Sequence, residues 1–247
     1  MLKTLQERII FQPTRLADDY IYRFDQPFEE LFLTDLALGV RVNALFFPAE
    51  WGSGRRLVLY FHGNAGNLQR WGKYAADFTQ HGFDFLAIDY PGYGKSPGQP
   101  SEEGCYQSAR MAYNWALQRY ASDRIVIYGR SLGSAMASWL AARQPARQLI
   151  LETPFPSMTK LIAYKVPRFI ANLGAPVHFP VEHFLQKVPY PKSVFQGTHD
   201  WVVPYKAALE LKPWVGDDRF FVIEGGGHKN LNQFDYYHEK LVEVLEK

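Results

Sequence analysis

The sequence is most restrictive in what it lacks. A single cysteine, Cys105, stands among 247 residues, so no intramolecular disulfide can form. Nothing in the chain calls for an oxidising compartment, and a cytoplasmic protein is expected. Cys105 falls in a helical segment with no histidine beside it, which predicts a buried structural thiol. No run approaches the roughly 18 apolar residues of a membrane-spanning helix, and the N-terminus lacks a signal-peptide pattern. The segment Met1–Phe11 is only mildly amphipathic; peripheral membrane contact is conceivable for it, and packing against the domain is the favoured expectation. Charge of one sign is lacking too. The 27 basic and 25 acidic residues leave a net +2, which gives no reason to expect nucleic acid as a partner. No internal repeat or low-complexity tract is evident.

Apolar and aromatic residues are plentiful. Hydrophobic residues make up 47% and aromatic residues 16%, with 18 Phe and 15 Tyr. That supplies a sizeable core for one large α/β domain, read as residues 1–247. Strand-like and helix-like segments alternate. Glu30–Asp35 and Val40–Phe47 read as strands joined by a turn at Leu38-Gly39, and that pair is expected to be antiparallel. Leu57–Phe61, Phe85–Ile88, Arg124–Tyr128, Leu149–Leu151, Ser193–Phe195 and Phe220–Ile223 read as further, buried strands. Helices are expected over Leu68–Gln80, from Ser101 to about Tyr120, over Ser134–Ala142 and over Leu231–Glu246. Such alternation predicts βαβ units and a mainly parallel sheet, with reactive loops at the carboxyl ends of its strands.

The stretch Pro154–Lys192 breaks the pattern. It holds seven prolines and six Phe or Tyr residues, and five basic residues against Glu182 alone, a net of +4. It is read as a small inserted cap of short helices at about 154–192. Lys160, Lys165 and Arg168 in it are candidates to meet a negative charge on a substrate.

Gly129-Arg130-Ser131-Leu132-Gly133 fits G-x-S-x-G, the sharp strand-to-helix turn that holds a nucleophilic serine clear of a sheet. A strand before it and a small-residue helix after it supply the required context. Serine needs a base, and on such a fold the partners follow in the order Ser, Asp or Glu, His. Of the seven histidines, His228 follows a strand and the run Gly225-Gly226-Gly227, which can carry an imidazole over a distant serine. His81 and His238 lie on helices and read as surface groups. Asp200, in Gly197-Thr198-His199-Asp200 after the strand Ser193–Phe195, is the natural acid; Glu152 is the reserve. An oxyanion hole is required as well, worth about 3–4 kcal/mol per donor. The amide of Leu132 is one candidate donor. The amide of Asn64, with Ala65 second, is the other, in the loop His62-Gly63-Asn64-Ala65-Gly66-Asn67. Asn67 is expected to cap the following helix. Arg130 is expected to turn away from the nucleophile and pair with Asp200 or Glu152.

These motifs, with Asp89-Tyr90-Pro91-Gly92-Tyr93-Gly94-Lys95-Ser96 and Gly227-His228, occur together in one order. On them the chain resembles the α/β-hydrolase superfamily over roughly Leu31–Lys247. It looks most like the serine-hydrolase branch with H-G-N-x-G-N and G-R-S-L-G motifs, which includes Bem46-like proteins and depalmitoylating hydrolases. The resemblance implies an eight-stranded sheet with helices on both faces, a Ser131–Asp200–His228 triad, and hydrolysis of small-molecule acyl esters or thioesters without cofactor or metal. It gives the Asp89–Ser96 motif a structural role, with Gly92 and Gly94 shaping the floor near the site. Two departures stand out. Ser134 replaces a glycine of many relatives, and the membrane-spanning helix with which relatives often begin is lacking. A serine peptidase on the same fold and a non-catalytic binding protein that retains it are the alternatives.

Overall fold

In a computed structural model the described residues are 10–35, 39–51, 56–165 and 177–247. Eight strands share one sheet: β1 (Glu29–Asp35), β2 (Val40–Phe47), β3 (Arg56–Phe61), β4 (Phe83–Ile88), β5 (Ile125–Arg130), β6 (Gln148–Glu152), β7 (Lys192–Gly197) and β8 (Phe220–Ile223). Their spatial order is β1-β2-β4-β3-β5-β6-β7-β8. β2 is the reversed strand. It pairs antiparallel with β1, as expected, and also with β4, while every other pairing is parallel.

The continuous apolar runs are explained by a sheet covered on both faces. Successive side chains of a strand point to opposite faces. Leu57, Leu59 and Phe61 of β3 and Ile125 and Ile127 of β5 therefore join one buried cluster. Val58, Tyr60, Val126 and Tyr128, from the same strands, join the other. Helices α3 (Glu102–Leu117) and α4 (Gly133–Ala141) supply small and apolar residues to the first cluster; α1 (Leu68–Trp71), α2 (Ala76–Thr79) and α9 (Asp235–Glu246) supply the second. Cys105 lies in the first cluster, and burial pushes its thiol pKa well up, which keeps it protonated and inert.

Capping follows the sequence closely. The Ser101 side chain accepts from the amide of Gly104 at 3.0 Å, and that of Asn67 from the amide of Gln69 at 3.0 Å. Three helices differ from expectation. The segment Leu68–Gln80 is not one helix, because a 3₁₀ turn at Gly72–Ala75 separates α1 from α2. There the ring of Phe24 presses on the backbone; a Cβ on Gly72 would lie 2.6 Å from it. α3 stops at Leu117, since the amides of Arg119 and Tyr120 both turn back onto the carbonyl of Ala116. Leu231–Gln233 is a 3₁₀ turn, and the extended Phe234 (φ −108°, ψ 127°) interrupts the chain before α9 begins.

Part of the segment expected as a cap, 166–176, lies outside the described residues. Its described parts include α5 (Met158–Ala163) and α6 (Val181–Leu185). Phe179 and Phe184 set their rings edge-on against Tyr106 of α3, which itself stacks on Trp139 of α4. Two short helices, α7 (Tyr205–Leu209) and α8 (Lys212–Val215), link β7 to β8. One pairing was not legible beforehand. Gln12–Pro13 runs parallel to Ala65–Gly66 as a two-stranded ribbon outside the main sheet. Among the described residues, no helix is long and apolar enough to cross a membrane.

Candidate active site

Ser131 sits between β5 and α4 with φ at +52°, a left-handed conformation that costs a non-glycine residue about 1–3 kcal/mol. The surrounding structure holds it there. Its amide donates to the carbonyl of Glu152 at 2.8 Å, continuing the β5–β6 ladder by one residue. The flanking glycines are sterically required. A Cβ on Gly129 would lie 2.5 Å from the carbonyl oxygen of Gly133, and one on Gly133 would lie 1.9 Å from that of Phe61.

The three side chains expected to act together are brought together. His228 Nε2 lies 2.9 Å from Ser131 Oγ, and His228 Nδ1 lies 2.8 Å from Asp200 Oδ2. The chemistry of the partners assigns the protons. A carboxylate only accepts, so Nδ1–H donates to Asp200 and the free Nε2 lone pair accepts from the Ser131 hydroxyl. Asp200 is buried, and its other oxygen, Oδ1, accepts from the amides of Val202 and Val203, each at 2.8 Å. Gln196 Nε2 donates to Oδ2 at 3.3 Å. These donors hold the carboxylate in place. The loops after β7 and β8 touch: the His199 amide donates to the carbonyl of Gly226 at 2.8 Å, and a Cβ on Gly197 would lie 2.1 Å from that same oxygen.

Arg130 turns away from the nucleophile and pairs with Glu152, the second of its two expected partners. It is only 2% exposed, with Nη1 3.3 Å from Glu152 Oε1. Its Nη2 donates to the backbone carbonyl of His228 at 3.2 Å, and its guanidinium lies over the ring of Tyr74 at 4.5 Å. Burial pulls the guanidinium pKa down, but Glu152 and the surrounding tyrosines outweigh it, so the net direction is up and the group stays charged. Glu152, the reserve acid, is committed to this pair and to the hydroxyl of Tyr128 at 2.6 Å.

The candidate oxyanion donors lie in two turns. Among the described residues, neither the Leu132 nor the Asn64 amide donates to a protein acceptor. The loop of Asn64 is built on a fully buried pair, with His62 Nε2 3.2 Å from Asp89 Oδ1 and His62 Nδ1 2.7 Å from the carbonyl of Gly63. Burial raises the Asp89 pKa, and His62 and the amide of Leu68 oppose that rise. Gly94 leaves room for this carboxylate, since a Cβ there would fall 2.0 Å from Asp89 Oδ2. The Asp89–Ser96 motif thus braces the loop of Asn64. The cations of the segment expected as a cap are less available than the sequence suggests. Lys160 Nζ is held between Glu182 (2.6 Å) and Glu210 (2.8 Å), Lys165 donates to the carbonyl of Trp201, and Arg168 lies outside the described residues.

An eight-stranded, mostly parallel sheet with helices on both faces and a serine on a strained turn is the α/β-hydrolase architecture. A family model described as the alpha/beta hydrolase fold matches residues 56–172. An uncharacterized protein of Mycobacterium tuberculosis is 32% identical over 200 residues, 80% of this chain and 71% of that one. The chain belongs to this family. The alpha/beta hydrolase domain-containing protein 17C of Xenopus tropicalis is 29% identical over 222 residues, 87% of this chain and 69% of that one. Among solved structures, an esterase of Pyrococcus furiosus aligns with a TM-score of 0.73 at 15% identity, covering 96% of this chain and 97% of that one. An alpha-beta hydrolase of Vibrio vulnificus aligns with a TM-score of 0.70 at 23% identity, covering 88% and 81%.

Proposed function

We propose that the protein is a serine hydrolase that cleaves carboxylic esters or thioesters through an acyl-enzyme on Ser131. The observation that carries this is the unbroken relay Ser131 Oγ–His228–Asp200, with links of 2.9 and 2.8 Å. Such lengths fall within the reach that a nucleophile and its base require. His228 Nε2 takes the hydroxyl proton as Oγ bonds to the acyl carbon. The oxyanion that forms is met by the amides of Leu132 and Asn64. The imidazolium, held by Asp200, then gives its proton to the departing alcohol or thiol as the acyl bond to it breaks. Water repeats the sequence: His228 accepts its proton, the hydroxyl oxygen bonds to the acyl carbon, and Ser131 leaves reprotonated with release of the acid. No step calls for a cofactor. Within the family, the H-G-N-x-G-N and G-R-S-L-G motifs favour the Bem46-like, depalmitoylase-like branch. The aromatic segment around Phe155, Phe179 and Phe184 suits a cap over an apolar acyl group.

The test uses a fluorophosphonate probe and nitrophenyl esters from acetate to palmitate, on wild type beside Ser131→Ala. Wild type is expected to label and turn over. The variant should fold equally well, fail to label and lose activity by about a thousandfold or more. Retention of most esterase activity by Ser131→Ala overturns the assignment.

A further inference from the structure

The oxyanion loop is not held by the hydrolase core alone. Residues 10–16 cross it as a strap. The Gln12 amide donates to the carbonyl of Asn64 at 3.0 Å, and Asn64 Nδ2 donates back to the carbonyl of Ile10 at 3.1 Å. The Thr14 amide donates to the carbonyl of Gly66 at 3.1 Å, while the Thr14 carbonyl accepts from Asn67 Nδ2 and from the Gly94 amide. The Tyr93 hydroxyl supplies a second donor to the Asn64 carbonyl at 2.8 Å. Between these contacts Phe11, 2% exposed, sets its ring edge-on to Phe179 of the expected cap at 6.1 Å.

Peptide planarity gives this arrangement a consequence for the candidate donors. In a trans peptide the carbonyl and the following N–H point in opposite directions, so a fixed carbonyl fixes the next amide. The Gly63 carbonyl is pinned by His62 Nδ1, which orients the Asn64 N–H. The Asn64 carbonyl is pinned by Gln12 and Tyr93, which orients the Ala65 N–H and fixes the Asn64 Cα from the other side. The two amides proposed for the second oxyanion position are those whose peptide planes are clamped.

We propose that the strap, through the Gln12 amide together with Tyr93, is a positioning element for the oxyanion hole. It acts on catalysis through Asn64 and touches no substrate itself. The inference rests on the serine-hydrolase reading and adds to it a segment outside the family's motif set. Aligned donors pay most in the transition state, where charge collects on the oxygen. A loosened strap therefore lowers kcat and leaves KM nearly unchanged.

Gln12→Pro removes the one N–H in question. Its effect is read against Gln12→Ala, which keeps that N–H, and against Tyr93→Phe, which removes the second donor and leaves the strap's own sequence unchanged. Assays measure kcat and KM on a nitrophenyl ester, inhibition by an alkyl boronic acid whose adduct mimics the tetrahedral intermediate, and urea unfolding. Gln12→Pro and Tyr93→Phe are each expected to lose about tenfold in kcat, with KM within about twofold. Boronate affinity should weaken in parallel. Gln12→Ala, which keeps the N–H, should retain most of the kcat and boronate affinity that Gln12→Pro loses. Wild-type kcat and boronate affinity in folded Gln12→Pro overturn the proposal, as do the same values in Tyr93→Phe should the proline variant not fold. Ser131→Ala in the same series separates the two ideas: activity there sinks the serine mechanism, whereas an inactive Ser131→Ala beside a fully active Gln12→Pro sinks only the strap.

Discussion

Replacing Arg130 by methionine isolates one buried charge beside Ser131. The side chain is 2% exposed, and its guanidinium meets Glu152 at 3.3 Å, the His228 carbonyl at 3.2 Å and the face of Tyr74 at 4.5 Å. Methionine keeps much of the apolar stem and removes all three contacts. Glu152, also buried, is left with a carboxylate whose Oε1 faces no cation, although Oε2 keeps the Tyr128 hydroxyl. Breaking a buried pair by deleting one partner costs about 3–5 kcal/mol, most of it the stranded charge. Loss of the cation over the aromatic ring adds about 0.5–2 kcal/mol. Together these give an expected loss of about 3.5–7 kcal/mol of stability at pH 7, measured by urea unfolding. The same cause predicts its own remedy. Arg130→Met with Glu152→Gln removes both charges, keeps an acceptor for Tyr128, and should recover about half the loss or more. Turnover of the single variant should also fall, because the His228 carbonyl has lost the Nη2 donor. A loss below about 1 kcal/mol for Arg130→Met, or a double variant no more stable than the single, refutes the reasoning.

Two further predictions concern stability. Burial raises the Asp77 pKa above the ordinary 3.8, with His238 and a hydrogen bond from Asn232 opposing. A carboxyl whose folded-state pKa is raised favours the fold most when protonated, so its ionisation costs stability as pH rises through the folded value. Asp77→Asn should therefore be more stable than wild type at pH 7, with the gap closing as pH falls towards 3.8; a gap that widens on acidification rules this out. Gly133→Ala places a Cβ 1.9 Å from the Phe61 carbonyl oxygen, whereas Gly39→Ala has nothing within 4 Å and faces only its positive φ. Urea unfolding should rank them clearly, at about 3 kcal/mol or more for Gly133→Ala and about 1–2 for Gly39→Ala, and the reverse order would contradict the account.

The core of the fold was legible because its signals are local. A strand buried on both faces must be apolar throughout, as Leu57–Phe61 is, and the G-x-S-x-G turn announces itself through glycines that sterics demand. Asp200 and His228 were legible because strand ends on such a sheet converge, so chain order alone limits the choices. The break at Gly72 was not legible: the sequence keeps helical periodicity through it, and the ring that tightens the winding, Phe24, arrives from 48 residues away. The strap was hidden for a related reason. Gln12–Pro13 is a ribbon of only two residues, paired in parallel with Ala65–Gly66, and a pairing that short leaves no alternation in the sequence to find. Lys160 read as a free cation because its partner Glu210 lies 50 positions on.

Ser131 and His228 are 97 residues apart in the chain. During synthesis, which runs from the N-terminus, the nucleophile of the proposed mechanism emerges long before the imidazole proposed to activate it. A hydroxyl without a base is a feeble nucleophile, so a nascent chain carrying β5 and α4 is chemically silent toward acyl groups around it. The proposed reactivity requires that β7 and β8 have joined the sheet and their loops have met. On the proposed mechanism, order of translation is thus a safety catch, since a product that stops before His228 lacks the proposed base.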